Sequence, residues 1–268
     1  VSYNSYLIDD EMVALVDTVD ICYFEVYLRK IKQVIGERPI NYLIINHMEP
    51  DHSGSIRLIK QHYPEIIIVG NKQTFGMIEG FYGVTGEQYL VKEGDFLALG
   101  HHKLRFYMTP MVHWPETMMT FDETDGVLFS GDGFGCFGTV DGGFLDTRIN
   151  VDKYWGEMVR YYSNIVGKYG SPVQKALQKL GGLPISAICS THGPVWTENI
   201  AKVIGIYDRL SRYDADEGVV IAYGSMYGNT EQMAEAIAEE LSAQGVKNIV
   251  MHNVTKSHPS YIIADIFR

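Results

Sequence analysis

Tyr42-Leu-Ile-Ile-Asn46, followed at once by His47-Met-Glu-Pro-Asp-His52, is the stretch from which the fold is read. Its first part is an apolar run of strand length, as expected of a strand buried on both faces. Its second part carries two imidazoles and two carboxylates at H-x-E-x-D-H spacing. Polar chemistry just past a buried strand suits a layered α/β fold, in which a sheet fixes the loop that does the work. An extended course over 47–52 puts His47, Glu49 and Asp51 on one side. It points Asp51 and His52 apart, toward two different metals.

The same arrangement recurs along the chain. A strand over Leu104–Thr109 leads to the loop that holds His113. A strand over Val127–Ser130 runs into Asp132, and one over Ile185–Cys189 leads to His192. Any one of these residues alone is an ordinary loop residue with a satisfied hydrogen bond. Four imidazoles and three carboxylates on four strand ends are a metal constellation. Imidazole-rich sets suit zinc, whereas mixed His/carboxylate sets with open positions suit iron. Three carboxylates also nearly balance two ferrous ions. Zinc is redox-silent, so a zinc pair implies hydrolysis and an iron pair redox work. His62, His101, His102, His252 and His258 lack a strand-end setting and read as surface residues. Trp114 and Trp196 read as packing, and Phe134 as core or cavity wall. Gly54, Gly133 and Gly193 read as tight turns or close backbone approaches.

A second signal is Ala222-Tyr-Gly-Ser-Met-Tyr-Gly-Asn-Thr230, between a strand (219–223) and a helix (230–243). The hydroxyls of Ser225 and Thr230, the backbone amides of Met226, Tyr227, Gly228 and Asn229, and the helix N-terminus can cradle a phosphate. Gly228 is read as allowing close approach and Thr230 as a cap, with Met233, Ile237 and Leu241 as the helix's apolar face. Without G-K-[ST] it is not a Walker loop.

The remaining elements are a strand pair within 2–20, a helix over 21–35 with apolar Val26, Leu28, Ile31 and Ile35, and a helix over 53–62. Helices over 152–169, 173–180 and 198–213 follow, and Asp214–Gly218 is the linker. The 268 residues are 46% hydrophobic and 21% charged, which excludes disordered, collagen-like and coiled-coil chains. A net charge of −11 argues against nucleic-acid and anionic-membrane partners. No apolar run is long enough for a spanning helix. Three scattered cysteines form no C-x-x-C pair, and no signal peptide opens the chain; a cytoplasmic setting is expected. Val1 opens inside a strand pattern and Arg268 closes inside a βαβ pattern, so the chain reads as a fragment.

The strand-end pattern resembles the metallo-β-lactamase fold, a four-layer αβ/βα sandwich with a dinuclear site, with Glu49 where that superfamily's hydrolases have a second His. More specifically, the chain is similar to the flavodiiron proteins (A-type flavoproteins). The motifs are His47-Met-Glu-Pro-Asp-His-Ser-Gly54, His113-Trp-Pro-Glu-Thr-Met118, Ser130-Gly-Asp-Gly-Phe-Gly135 and Ser190-Thr-His-Gly-Pro194. The loop at 225–230 resembles the FMN phosphate loop of flavodoxins, with Tyr227 departing from its middle hydroxyl.

The resemblance implies a metallo-β-lactamase-like diiron domain over 1–217, missing its first strands, and the start of a doubly wound, flavodoxin-like FMN domain over 218–268. It implies that His47, Glu49 and His113 bind one iron, that Asp51, His52 and His192 bind the other, and that Asp132 bridges. It implies reduction of dioxygen to water or nitric oxide to nitrous oxide, with electrons passing through FMN from a donor such as rubredoxin or reduced deazaflavin. A head-to-tail homodimer or dimer of dimers is implied as well. With so little of the flavodoxin domain present, this chain alone is expected to bind FMN poorly. The rival readings are a dinuclear zinc hydrolase and a non-catalytic carrier or sensor.

Overall fold

A computed structural model describes all 268 residues. Two five-stranded sheets face each other. The first runs in chain order through β1 (Tyr6–Ile8), β2 (Ala14–Val16), β3 (Tyr42–Ile44), β4 (Ile67–Gly70) and β5 (Gln88–Leu90). Only the β1–β2 pairing is antiparallel. The second holds β6 (Phe96–Ala98), β7 (Lys103–Met108), β8 (Met118–Asp122), β9 (Val127–Gly131) and β10 (Ala187–Ser190). Here β6 to β9 form a meander, and β10 pairs parallel to β9.

Side-chain alternation along the strands sorts the core into three apolar layers. Ile44, Val69, Phe106, Met118 and Phe129 fill the space between the sheets. Leu43, Ile45 and Ile68 turn the other way, onto α1 (Phe24–Ile35), α3 (Ile56–His62) and α4 (Lys72–Tyr82). Met119, Phe121, Leu128 and Ile188 turn onto α5 (Asp152–Ile165), α6 (Gly170–Leu180) and α7 (Ile200–Ser211). Helices, sheet, sheet and helices make the four-layer sandwich. A short helix, α2 (Pro50–Ser53), precedes α3.

Beyond residue 218, β11 (Val219–Tyr223) and β12 (Ile249–Asn253) pair in parallel. With α8 (Asn229–Ala243) and α9 (Pro259–Phe267) they form a β-α-β-α unit. Helix α9 does more than cover its own strands. A Cβ on Gly167 would lie 2.8 Å from the Phe267 ring, so α9 reaches the end of α5.

Several local expectations need correction. In α1 the inward face is Phe24, Tyr27, Leu28, Ile31 and Ile35, while Val26 is exposed. In α8 Met233 and Ile237 are exposed, and Ala234 is the buried residue. His252 is half-buried, whereas His258 is exposed as expected. His252 joins β12 to α9 through Asp265 (2.7 Å), and His258 accepts from the Ser260 amide at the start of α9. His102 is likewise half-buried, paired with Asp122 at 2.7 Å. Trp196 is fully buried and stacked on Trp155, and Phe134 packs on Tyr207, so both fill core.

Candidate metal centre and phosphate loop

The sheets place the donors. Strands β7, β9 and β10 run in one direction in the second sheet, and their ends meet the end of β3 at one edge of the sandwich. Past those ends lie 47–52, His113, Asp132 and His192. Asn46, fully buried, ties the sheets together there: its carbonyl accepts from the Met118 amide (3.1 Å) and its Oδ1 from Thr120 (2.8 Å). Asp17 Oδ1 accepts from the backbone amides of Asn46 (2.8 Å) and His47 (3.2 Å) and so fixes the turn out of β3.

The seven residues form two adjoining groups that share Asp132. In the first, Glu49 Oε2 lies 3.4 Å from His47 Nε2 and 3.1 Å from His113 Nε2. Asp132 Oδ2 completes it, 3.0 Å from His113 Nε2 and 3.6 Å from His47 Nε2. In the second, His52 Nε2 lies 3.0 Å from His192 Nε2 and 3.2 Å from Asp51 Oδ2. Asp132 Oδ1 stands 3.1 Å from His52 Nε2 and 3.6 Å from His192 Nε2. The extended reading of 47–52 is therefore wrong. Pro50 opens helix α2, a first-turn position that suits proline. That turn swings Asp51 away from His47 and Glu49, and Asp51 and His52 converge instead of pointing apart.

The donor set fits two small cations. Donor atoms each roughly 2.1 Å from one ion sit roughly 3.0–3.4 Å from one another in octahedral or tetrahedral sets. The spacings above span 3.0–3.6 Å. The Nε2 atoms of His52 and His192 face each other at 3.0 Å, a spacing that suits two ligands of one ion. Asp51 Oδ1 and His52 Nδ1 are buried with no partner.

The side chains of the centre shift one another's charge states. Burial disfavours the His47 imidazolium, but Asp132, Glu116 and Glu49 outweigh it and hold its pKa up to about 10. Hydrogen bonds from His113 and His47 bring Glu49 down to about 2. Asp132 is lowered well below the usual range: burial acts against this, and the His52 and His47 charges prevail. Two sides are open. The side chain of Glu49 is 37% exposed. A cleft of about 360 Å³, bounded by His113, Trp114, Asn164 and Lys168, opens beside the first group.

The 224–228 loop follows β11. The Gly228 amide donates to Ser225 Oγ at 3.0 Å, closing the loop on itself. Gly228, with φ +85°, caps α8, so the cap expected at Thr230 is not there. A Cβ on Gly228 would meet nothing within 4 Å, so the glycine serves the left-handed turn and not close packing. Met226 and Tyr227 are each 86% exposed, and Asn229 and Thr230 stand in the exposed first turn of the helix.

The profile described as ODP family beta lactamase matches residues 1–193, and the flavodoxin profile matches residues 221–267. Rubredoxin oxygen:oxidoreductase from Desulfovibrio gigas superposes with a TM-score of 0.94 at 31% identity, over 99% of this chain and 67% of that one. The chain belongs to the flavodiiron protein family. The flavodiiron protein from Giardia intestinalis superposes with a TM-score of 0.94 at 28% identity, over 98% of this chain and 64% of that one. An anaerobic nitric oxide reductase flavorubredoxin from Escherichia coli O1:K1 / APEC is 32% identical over the whole of this chain. The chain spans 57% of that relative's length.

In this flavodiiron chain, four further side chains matter that the sequence motifs did not single out. Glu116 is fully buried, and its Oε1 accepts from His47 Nδ1 and the Met48 amide, both at 2.9 Å. A carboxylate behind a ligating imidazole fixes its tautomer and direction. Thr191 Oγ1 donates to Asp132 Oδ1 at 2.5 Å. Asp17, described above, is buried deeply enough to raise its pKa to about 6. Tyr161, from α5, packs 5.6 Å from the His192 ring, and its buried hydroxyl has no partner. Glu116 and Thr191 left a trace, each inside a quoted motif, three residues past His113 and directly before His192. Tyr161 falls in a helical apolar pattern indistinguishable from core.

Proposed function

We propose that the complete protein is a cytoplasmic oxidoreductase that reduces dioxygen to water, nitric oxide to nitrous oxide, or both, at a non-haem diiron site supplied with electrons through FMN. The carrying observation is Asp132: one buried carboxylate turns Oδ2 to the group of His47, Glu49 and His113 and Oδ1 to His52 and His192 of the group that holds Asp51. On this reading the first three bind one iron, the second three bind the other, and Asp132 bridges. Residues 1–217 form the diiron domain and 218–268 the start of the FMN domain. The amides and hydroxyls at Ser225, Met226, Tyr227, Gly228, Asn229 and Thr230 would take the FMN phosphate.

Two iron ions held by these seven residues would supply paired electrons for reduction of a diatomic gas. The chain's own residues set the stage for that chemistry. Glu116 and Ser2 hold ring nitrogens of His47 and His192, so that the opposite nitrogens face the centre. The apolar layer between the sheets keeps bulk water from the inner side. The Tyr161 hydroxyl, buried without a partner and beside Asp132, would be the chain's own donor of a hydrogen bond or proton to a substrate held there.

The named relatives support both substrates and a rubredoxin donor; a reduced deazaflavin donor and a head-to-tail homodimer or dimer of dimers rest on the family resemblance. No helix is long and apolar enough to cross a membrane. Metal content and gas consumption of the full-length, iron- and FMN-loaded protein, with each gas in turn, test the reading. Two irons per chain with turnover of either gas is the expected result. Two zincs with hydrolytic turnover would replace it with the dinuclear hydrolase, and iron without gas turnover with a carrier or sensor.

A further inference from the structure

We propose that Arg160 is a positioning residue through which the second unit steadies the metal centre. The inference rests on the diiron reading and adds to it a route by which the flavodoxin-like unit acts on that site.

Arg160 lies on α5, next to Tyr161. Its guanidinium sits between two rings, 4.4 Å from the centroid of Phe137 and 4.6 Å from that of Tyr261. Phe137 belongs to the loop that leaves Asp132, whereas Tyr261 belongs to α9. Each guanidinium nitrogen has a bond as well. Nη1 donates to Ser260 Oγ of α9 at 3.0 Å, and Nε and Nη2 donate to Glu157 Oε2 at 3.0 and 2.5 Å. Asn164, one turn on, donates to the Ser260 carbonyl at 3.0 Å. The Arg160 side chain is only 18% exposed, so these contacts form in a largely dry setting, where cation–π attraction is strongest.

On its far side, Phe137 meets the Tyr161 ring edge-on at 5.0 Å, and Tyr161 in turn packs on His192. The contacts thus run without a gap from Tyr261 and Ser260 through Arg160 and Phe137 to Tyr161 and the second metal group. A planar cation is the one side chain able to stack on both rings and still aim a donor at Ser260. If α9 shifts, Arg160 loses a ring and an acceptor, Phe137 is freed, and both the Asp132 loop and the Tyr161 hydroxyl relax.

The test uses full-length, iron-loaded protein and four variants: Arg160→Met, Arg160→Lys, Tyr261→Leu and Phe267→Leu. The readouts are the mixed-valence electron paramagnetic resonance spectrum and the rate of iron loss to a ferrous chelator. Arg160→Met and Tyr261→Leu should shift the spectrum and speed iron loss about three- to tenfold, below the roughly 10–100-fold typical of groups bonded directly to ligands. Arg160→Lys should recover part of the change. Phe267→Leu trims the far end of α9, where it packs on Tyr162, and leaves Ser260 and Tyr261 seated on Arg160, so it should leave the spectrum unchanged. Wild-type spectra and rates in Arg160→Met and Tyr261→Leu would overturn the proposal, as would an equal shift in Phe267→Leu. Wild-type protein without two irons per chain would instead refute the diiron reading, which the metal content reports separately.

Discussion

Glu116→Gln is the sharpest probe of how the centre is held. Glu116 touches no proposed metal position, yet its Oε1 carries two hydrogen bonds of 2.9 Å in a fully buried setting, one from His47 Nδ1 and one from the Met48 amide. Glutamine keeps an acceptor of the same reach but removes the charge that favours a directed, electron-rich His47 Nε2. Loss of such a partner weakens metal binding by about 10–100-fold, or about 1.4–2.8 kcal/mol. With one acceptor retained, Glu116→Gln belongs near the lower end. Glu116→Ala, which strands His47 Nδ1 and the Met48 amide, belongs near the upper end. The effect should be lopsided, because His47 serves only the first group. Chelator competition on full-length protein, counting metal per chain, should find one ion weakened by about tenfold with the other changed far less. Equal weakening of both ions, or of neither, would refute the claim that Glu116 acts by aiming His47.

Other outcomes follow from the same geometry. Asp132→Ala should lose both ions and gas consumption together, by elemental analysis and oxygen or nitric oxide uptake; retention of either ion at full occupancy would contradict the bridge. In the metal-free protein the His47 pKa is raised to about 10, so its contribution to stability is complete below about pH 6.5 and fades as pH rises toward 10. Metal must displace that proton, so affinity should run the opposite way and strengthen with pH, with protons released on binding in weakly buffered solution at pH 7. Metal uptake without proton release would show that His47 is neutral. Gly193→Ala combines φ +82° with a Cβ 2.8 Å from Cys136 Sγ, beside His192. It should cost about 1–3 kcal/mol in denaturant unfolding, and an unchanged midpoint would mean the turn is slack.

The sequence was most legible where one residue type does one job. Apolar runs such as 42–45 and 127–129 mark buried strands, and a polar residue soon after them marks the working edge, so the donors, though not their grouping, could be read from the residues before any contact was known. The path of 47–52 was legible too, because Pro50 signals a first helical turn, but alternation taken alone hides it. Tyr161 and Arg160 were not legible. Both sit in a helix whose pattern reports which face is buried and says nothing of what lies opposite. Tyr161 gains its setting only because the Asp132 loop and β10 arrive there from elsewhere in the chain. Met233 and Ile237 fail for a related reason: helical spacing names a face, and the two-stranded sheet beneath α8 is too narrow to cover it.

The donors come from both sheets, His47, Glu49, Asp51 and His52 from one and His113, Asp132 and His192 from the other. Bound ions would therefore act as rivets along a single edge of the sandwich. The opposite edge of the second sheet is closed by hairpin turns at 99–102 and 123–126, which no metal reaches. Stripping the ions should leave the layers stacked but able to part from the riveted edge, like a book opening away from its spine. Backbone hydrogen exchange should then quicken first at the carboxyl ends of β3, β9 and β10, while the far turns keep their rates. Each ion held at a free concentration 100-fold above its dissociation constant would oppose that opening by about 2.7 kcal/mol.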